Sequence, residues 1–229
     1  MTSTLAGNLD EVNQRLLQAC RKAGRDEGTV TLVAVTKFQD PALIHEAALR
    51  GLKHFAESRV QEAQTKFADP ALRALGTWHF IGHLQTNKAK VAAELFDVVQ
   101  TVDSLRLAGK LSEAATALGK TLKVYAQVNI SAEPQKHGLT LEEAADQTAK
   151  IASLPHLQLE GLMGMAAAFE DPEQSRPAFK TLHQLRLQLQ PELGPLKVSM
   201  GMSQDFHIAI EEGADLVRVG TLLFKGKDT

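Results

Sequence analysis

The chain has 229 residues, 44% of them hydrophobic and 23% charged, and a net charge of −2. That composition builds a large core and excludes a disordered chain, and the near-neutral charge, with no basic block interleaved with aromatics, excludes a nucleic-acid-binding surface. The single cysteine, Cys20, excludes an internal disulfide and fits a reducing compartment, and no apolar run approaches the roughly 20 residues of a membrane span.

The first residues, MTSTLAGNLDEV, lack the basic start and apolar core of a signal peptide, so a cytoplasmic protein is expected. Residues 8–23 carry Leu9, Val12, Leu16, Leu17 and Ala19 at helical spacing, with Gly24 as a stop. TVTLVAVTK (29–37) is β-branched and apolar almost throughout, the pattern of a strand buried on both faces of a parallel sheet. It ends in Lys37, and Asp40-Pro41 then starts a helix over residues 41–50. Strand two is HFAES (54–58), followed by a helix over 59–67 and another helical turn opened by Asp69-Pro70. TWHFIG (77–82) is strand three, with a helix over 88–95 after a polar turn. DVVQTVD (97–103) is strand four, with a helix over 104–118 closed by Gly119. LKVYAQVNIS (122–131) is strand five, and a loop containing Glu133, Pro134, Lys136 and Gly138 leads to a helix over 140–153. LQLEGLMGMAA (157–167) is strand six, with a helix over 173–189; LKVSMGM (196–202) is strand seven, with a helix over 203–212; ADLVRVGT (214–221) is strand eight.

Strand and helix alternate about eight times with no long loop, which demands parallel strands joined by right-handed crossovers. Eight units in this length fit a closed (β/α)8 TIM-type barrel with an extra N-terminal helix. An open doubly wound sheet is the alternative, but GxGxxG is missing after strand one. With no linker, low-complexity segment or repeat, residues 1–229 read as one domain. The last residues, Gly226-Lys227-Asp228-Thr229, follow strand eight directly, so no C-terminal β-domain is expected.

In such a barrel the strand carboxyl ends form the active face. Lys37, Ser58, Gly82, His83, Asp103, Asn129, Met163, the stretch 199–203 and the stretch 218–221 gather there. Lys37 is either a strand-end lysine reaching for water or an amine positioned to form a Schiff base. SMGMS and RVGT put Gly201, Ser203, Gly220 and Thr221 after strands seven and eight, the usual phosphate site of these barrels. Backbone N–H groups approach closely past small residues, and the hydroxyls add donors. A Schiff-base lysine facing a phosphate cup suits pyridoxal phosphate (PLP) or a sugar-phosphate carbonyl. Arg218 makes a plain ion pair, or it meets a ring nitrogen; there it can only donate, leaving that nitrogen unprotonated and the ring a poor electron sink. An aldolase is disfavoured because no carboxylate–lysine pair is visible beside Lys37. HExxH and CxxC are both missing, and His45, His54, His156 and His183 are scattered, so no metal is expected.

LVAVTK (32–37), WHFIGHLQTNK (78–88), NIS…KHG (129–138), GLMGM (161–165), SMGMSQDF (199–206) and VRVGT (217–221) together resemble the pyridoxal phosphate homeostasis protein family, whose fold is similar to the barrel domain of alanine racemase. The resemblance spans strands one to eight. It implies PLP held covalently on Lys37, a phosphate held by Ser199, Met202, Ser203, Gly220 and Thr221, and Arg218 at the pyridine nitrogen. Where the family usually has Gly-Glu-Asn, this chain has Ala56-Glu57-Ser58. Ser58 therefore stands in for an asparagine beside the ring, with a weaker or water-mediated contact. Racemisation needs a second base, which in the racemase-like enzymes is a tyrosine from the added β-domain; the only tyrosine here, Tyr125, lies early in strand five. The resemblance implies a vitamin B6 homeostasis factor; the weak electron sink and open face suit storing PLP or delivering it to PLP-requiring apo-enzymes, and without an added β-domain a monomer is expected. The alternative is a PLP enzyme with weak racemase or transaminase activity, using His83, Asp103 or a water as base.

Overall fold

Valine-rich runs that lie between two layers have no solvent face, and here all five residues of Val98–Val102 are buried. The computed structural model describes residues 4–131, 133 and 136–226. Eight parallel strands form a closed barrel in sequence order: β1 Thr31–Val35, β2 His54–Glu57, β3 Thr77–Phe80, β4 Val98–Val102, β5 Leu122–Val128, β6 Leu157–Gly164, β7 Lys197–Ser199 and β8 Leu216–Val219. β8 pairs with β1, placing Arg218 opposite Val33. That closure excludes the open sheet and establishes the (β/α)8 barrel; no second domain occurs among the described residues. No helix of the described residues is long and apolar enough to cross a membrane.

The expected N-terminal helix is α1, Leu5–Lys22. Thr4 opens it by accepting from the Gly7 N–H, and Leu5, Leu9, Val12 and Leu16 form its buried stripe. That stripe packs on two short helices, Phe206–Glu211 and Thr221–Phe224. The main apolar core lies between the helices and the outer strand faces, with Trp78, Phe55, Phe80 and Phe96 fully enclosed. A second cluster fills the inside of the barrel: Val33, Val35, Ala56, Val98, Tyr125, Met163 and Leu216. Tyr125 is therefore a core residue, and burial pushes its phenol pKa upward.

Strands five and six end earlier than expected, at Val128 and Gly164, and the stretches around β7 and β8 depart further. β7 has only three residues, and the helix expected over 203–212 starts at Phe206. Gly201 sits at φ 86, where a side chain is strained, and an added Cβ would lie 2.5 Å from the Ala209 Cβ. Met202 N–H then donates to Asp205 Oδ1 at 2.6 Å. This tight turn occupies residues 200–205, so neither strand nor helix extends through it. Thr221, expected to end strand eight, instead opens the helix Thr221–Phe224. Pro134 and residues 227–229, including the expected chain end, lie outside the described residues.

Candidate functional site

A cavity of about 760 Å3 opens at the carboxyl ends of the strands. Lys37, Ser58, Met202, Ser203, Arg218, Gly220 and Thr221 all line it, together with Ile81 and Met165. The volume lies within the usual range for a small-molecule site.

At one end of the cavity, Ser203 Oγ accepts from the Gly220 N–H at 3.3 Å and the Leu222 N–H at 3.4 Å. A hydroxyl and two backbone donors thus converge on one point, an arrangement suited to an anion. Gly220 has no room to spare: an added Cβ would lie 3.1 Å from both Val35 Cβ and Val35 O. The structure separates two of the residues expected at this end. Met202 lines the cavity as expected, and its N–H donates to Asp205 Oδ1 at 2.6 Å. Ser199 is fully buried below the cavity and does not line it. Sequence reasoning also missed Arg15, which reaches this end from α1 with its guanidinium 4.9 Å above the Phe206 ring. Only the docking of α1 on the barrel brings it there, and no local signal marks it.

Lys37 lies two residues beyond β1, on the cavity wall. Its neighbours on both sides are clamped. Thr36 Oγ1 donates to Glu57 Oε1 at 2.6 Å, and the Phe38 N–H donates to Glu62 Oε1 at 2.5 Å. Lys66 Nζ ties the group together, donating to Glu57 at 2.7 Å, Glu62 at 2.9 Å and the Thr36 carbonyl at 2.7 Å. Phe38 is held at φ 63, rare for a bulky residue. The sequence reading saw no carboxylate–lysine pair beside Lys37; Glu57–Lys66 is one, and that reading is corrected. The pair is enclosed under the strand end and lines no part of the cavity. Burial pushes the Glu57 carboxyl pKa up against the pull of Lys66 and Thr36.

Arg218 sits between the two ends, 3% exposed. Burial lowers its pKa to about 10, with Asp205 pulling the other way, so it stays cationic at neutral pH. Its Nη2 donates to the Gly164 carbonyl at 3.1 Å and its Nη1 to Ser199 Oγ at 2.6 Å. An arginine only donates, so the Ser199 hydrogen must point onward. It goes to Gln100 Oε1 at 2.7 Å. Gln100 Nε2 then meets His79 Nδ1 at 2.8 Å, and His79 Nε2 meets His54 Nδ1 at 3.1 Å. Because an amide nitrogen donates, His79 carries its proton on Nε2 and His54 accepts. β4 and β7 are not neighbours, so the Gln100–Ser199 bond crosses the barrel interior. A one-way chain of donors therefore runs from the cavity to the opposite end of the barrel.

His83 and Asp103 do not line this cavity; His83 lies on a smaller adjoining one of about 260 Å3.

The model of the alanine racemase N-terminal domain matches residues 8–228. A pyridoxal phosphate homeostasis protein of Pseudomonas aeruginosa is 42% identical over 226 residues, 99% of this chain and 97% of that one. The chain belongs to the pyridoxal phosphate homeostasis protein family. Two solved structures are also similar to this chain. An unknown protein from Bifidobacterium adolescentis aligns with a TM-score of 0.88 at 34% identity, covering 96% of this chain and 94% of that one. PipY of Synechococcus elongatus, solved with PLP bound, aligns with a TM-score of 0.81 at 35% identity, covering 93% of this chain and 99% of PipY.

Proposed function

We propose that this chain is a PLP-binding protein of vitamin B6 homeostasis that holds the cofactor on Lys37 and stores or delivers it. The observation that carries the reading is the convergence of three different groups on one cavity. Lys37 supplies the amine for an aldehyde. Ser203 Oγ, the Thr221 hydroxyl and the N–H groups of Gly220 and Leu222 receive a phosphate. Arg218, a buried cation with no proton to accept, meets the pyridine nitrogen. A sugar phosphate has no group that calls for Arg218, which disfavours the aldolase. Ser58 lies on the ring side, and Ser199 acts from below by fixing Arg218.

When bound, PLP supplies an electron-withdrawing ring, and the protein sets how strongly that ring withdraws. Arg218 keeps the ring nitrogen unprotonated and so weakens the sink. Turnover also needs a second base within reach of the substrate. Tyr125 is enclosed in the barrel interior, and His83 faces a different cavity. Both features favour a carrier over a racemase or transaminase, in a reducing compartment such as the cytoplasm. The recipients are read as PLP-requiring apo-enzymes and the chain as a monomer.

The test is the absorbance of the protein incubated with PLP, followed by borohydride reduction and peptide mass analysis. The reduced adduct is expected on the peptide carrying Lys37, and Lys37→Ala is expected to lose both colour and adduct. An adduct that persists elsewhere in that variant overturns the assignment. Sustained turnover of D- or L-amino acids by the wild-type protein overturns the carrier reading alone.

A further inference from the structure

We propose that His83, Asp103 and His137 form a binding site for one divalent transition-metal ion of the zinc class, beside the cofactor cavity. The three residues follow three successive strands, β3, β4 and β5, and meet at the barrel mouth. His83 Nδ1 lies 3.4 Å from Asp103 Oδ2, and His137 Nδ1 lies 4.0 Å from the same oxygen. One ligand atom from each residue falls within 4.8 Å of the others.

These separations are too wide for charged hydrogen bonds, which run at about 2.7–2.9 Å. The His83–Asp103 separation suits two ligands of a shared ion, and rotation of the exposed His137 side chain closes its wider gap. Zinc–nitrogen bonds of about 2.0–2.1 Å place tetrahedral ligands about 3.4 Å apart. The two imidazoles are stacked, with centroids 3.7 Å apart and planes at 11°. The ring nitrogens of both imidazoles therefore lie on one side of the Asp103 carboxylate, where imidazole lone pairs and a carboxylate oxygen can share a cation. Two nitrogens and one carboxylate oxygen select zinc, copper or nickel over magnesium or calcium.

The donors are also held in place. Thr101 Oγ1 donates to the Gly82 carbonyl at 2.6 Å, fixing the residue before His83. Gln127 Nε2 donates to the His137 carbonyl at 3.0 Å. Next to it, Gly138 adopts φ 130 and presses on β5, so that an added Cβ would lie 2.7 Å from the Asn129 nitrogen. Ser104 Oγ donates to Asp103 Oδ1 at 3.2 Å, which leaves Oδ2 to face the histidines. Such support for a ligand carboxylate is usual at metal sites. The adjacent cation, Lys136, is paired with Glu133. His83 and His137 are 45% and 57% exposed, so the remaining coordination positions face solvent. Ile81 and Met165 line both this small cavity and the larger one, and so form the wall between the two.

The inference is independent of PLP, and its test uses the metal alone. Untagged protein is stripped with chelator and titrated with zinc chloride by calorimetry, with and without PLP. One zinc per chain is expected in both states. Each of His83→Ala, His137→Ala and Asp103→Asn is expected to weaken binding at least about tenfold, and the His83→Ala/His137→Ala double variant to abolish it. His45→Ala, on a distant helix, is expected to bind as wild type. Copper(II) in place of zinc is expected to give nitrogen hyperfine structure in its electron paramagnetic resonance spectrum, lost in the double variant. Because both histidines are exposed, the variants are expected to melt like wild type, which separates lost ligands from lost fold. Wild-type protein that takes up no zinc, or a double variant that binds as well as wild type, overturns the site.

Discussion

Arg218 enters the cavity with both terminal nitrogens already committed, one to Ser199 Oγ and one to the Gly164 carbonyl. Those bonds fix the direction in which its remaining donor surface points. Ser199→Ala removes one acceptor from a guanidinium that is almost fully buried. A buried donor left unsatisfied costs about 1–3 kcal/mol, so the guanidinium is expected to shift toward another acceptor. The expected readout is a displaced absorbance maximum for the PLP-loaded protein, with the Lys37 adduct intact by mass. A spectrum identical to wild type would show that Ser199 does not position Arg218. This serine also illustrates the limit of reading by position. SMGMS reads as a loop of small donors around a ligand. Ser199, however, is the last residue of β7, and the two-residue alternation of strand side chains turns it into the barrel. Ser203, four residues on, lies beyond the strand and faces the cavity. Sequence position located both at the strand end; only the backbone path separated their roles.

At the scale of single elements, the helix Val60–Lys66 does more than cover β2. It carries Glu62 and Lys66, which pin Phe38 and Thr36 on either side of Lys37. In the sequence, Lys66 resembles any lysine on a solvated helix face, and nothing there foretells that it is 8% exposed. Its partner Glu57 was legible only as part of the departure from the family pattern around Ser58. The pair arises because a lysine stem is long enough to run under the strand end, a tertiary fact. Lys66→Met leaves Glu57 buried without its cation. Breaking a buried pair in this way costs roughly 3–5 kcal/mol. With the cation gone, the Glu57 carboxyl pKa rises further above its unfolded value. The ionised form then carries the cost, so the loss is expected to grow as pH rises. Urea unfolding at pH 6 and pH 8 measures it, and Glu57→Gln combined with Lys66→Met is expected to recover most of the stability. Equal losses at both pH values would mean that an ionised Glu57 is not the cause.

For the whole molecule, barrel closure was legible because alternation and the absence of long loops left few other solutions. The content of the barrel was not. A TIM-type interior is ordinarily packed with branched apolar side chains. Here that packing, from Val33 to Leu216, shares the interior with a polar chain from Arg218 through Ser199, Gln100 and His79 to His54. Its members come from five strands, and no sequence spacing could join them. Keeping this chain intact requires a neutral His79. Burial, then His54, Lys123 and Lys197, lower its pKa to about 3, against about 6.5 in the unfolded chain. Below pH 6.5 the unfolded state therefore binds the proton and the folded state does not. The stability tied to His79 is complete above about pH 6.5 and is lost progressively as pH falls toward 3. At pH 5 that loss amounts to about 2 kcal/mol. His79→Gln keeps an acceptor for Gln100 and a donor for His54 but cannot titrate. Urea unfolding at pH 7.5 and pH 5 is expected to show the wild type losing about 2 kcal/mol more than this variant between the two values. If wild type and variant lose the same stability, the acid sensitivity lies outside the barrel interior.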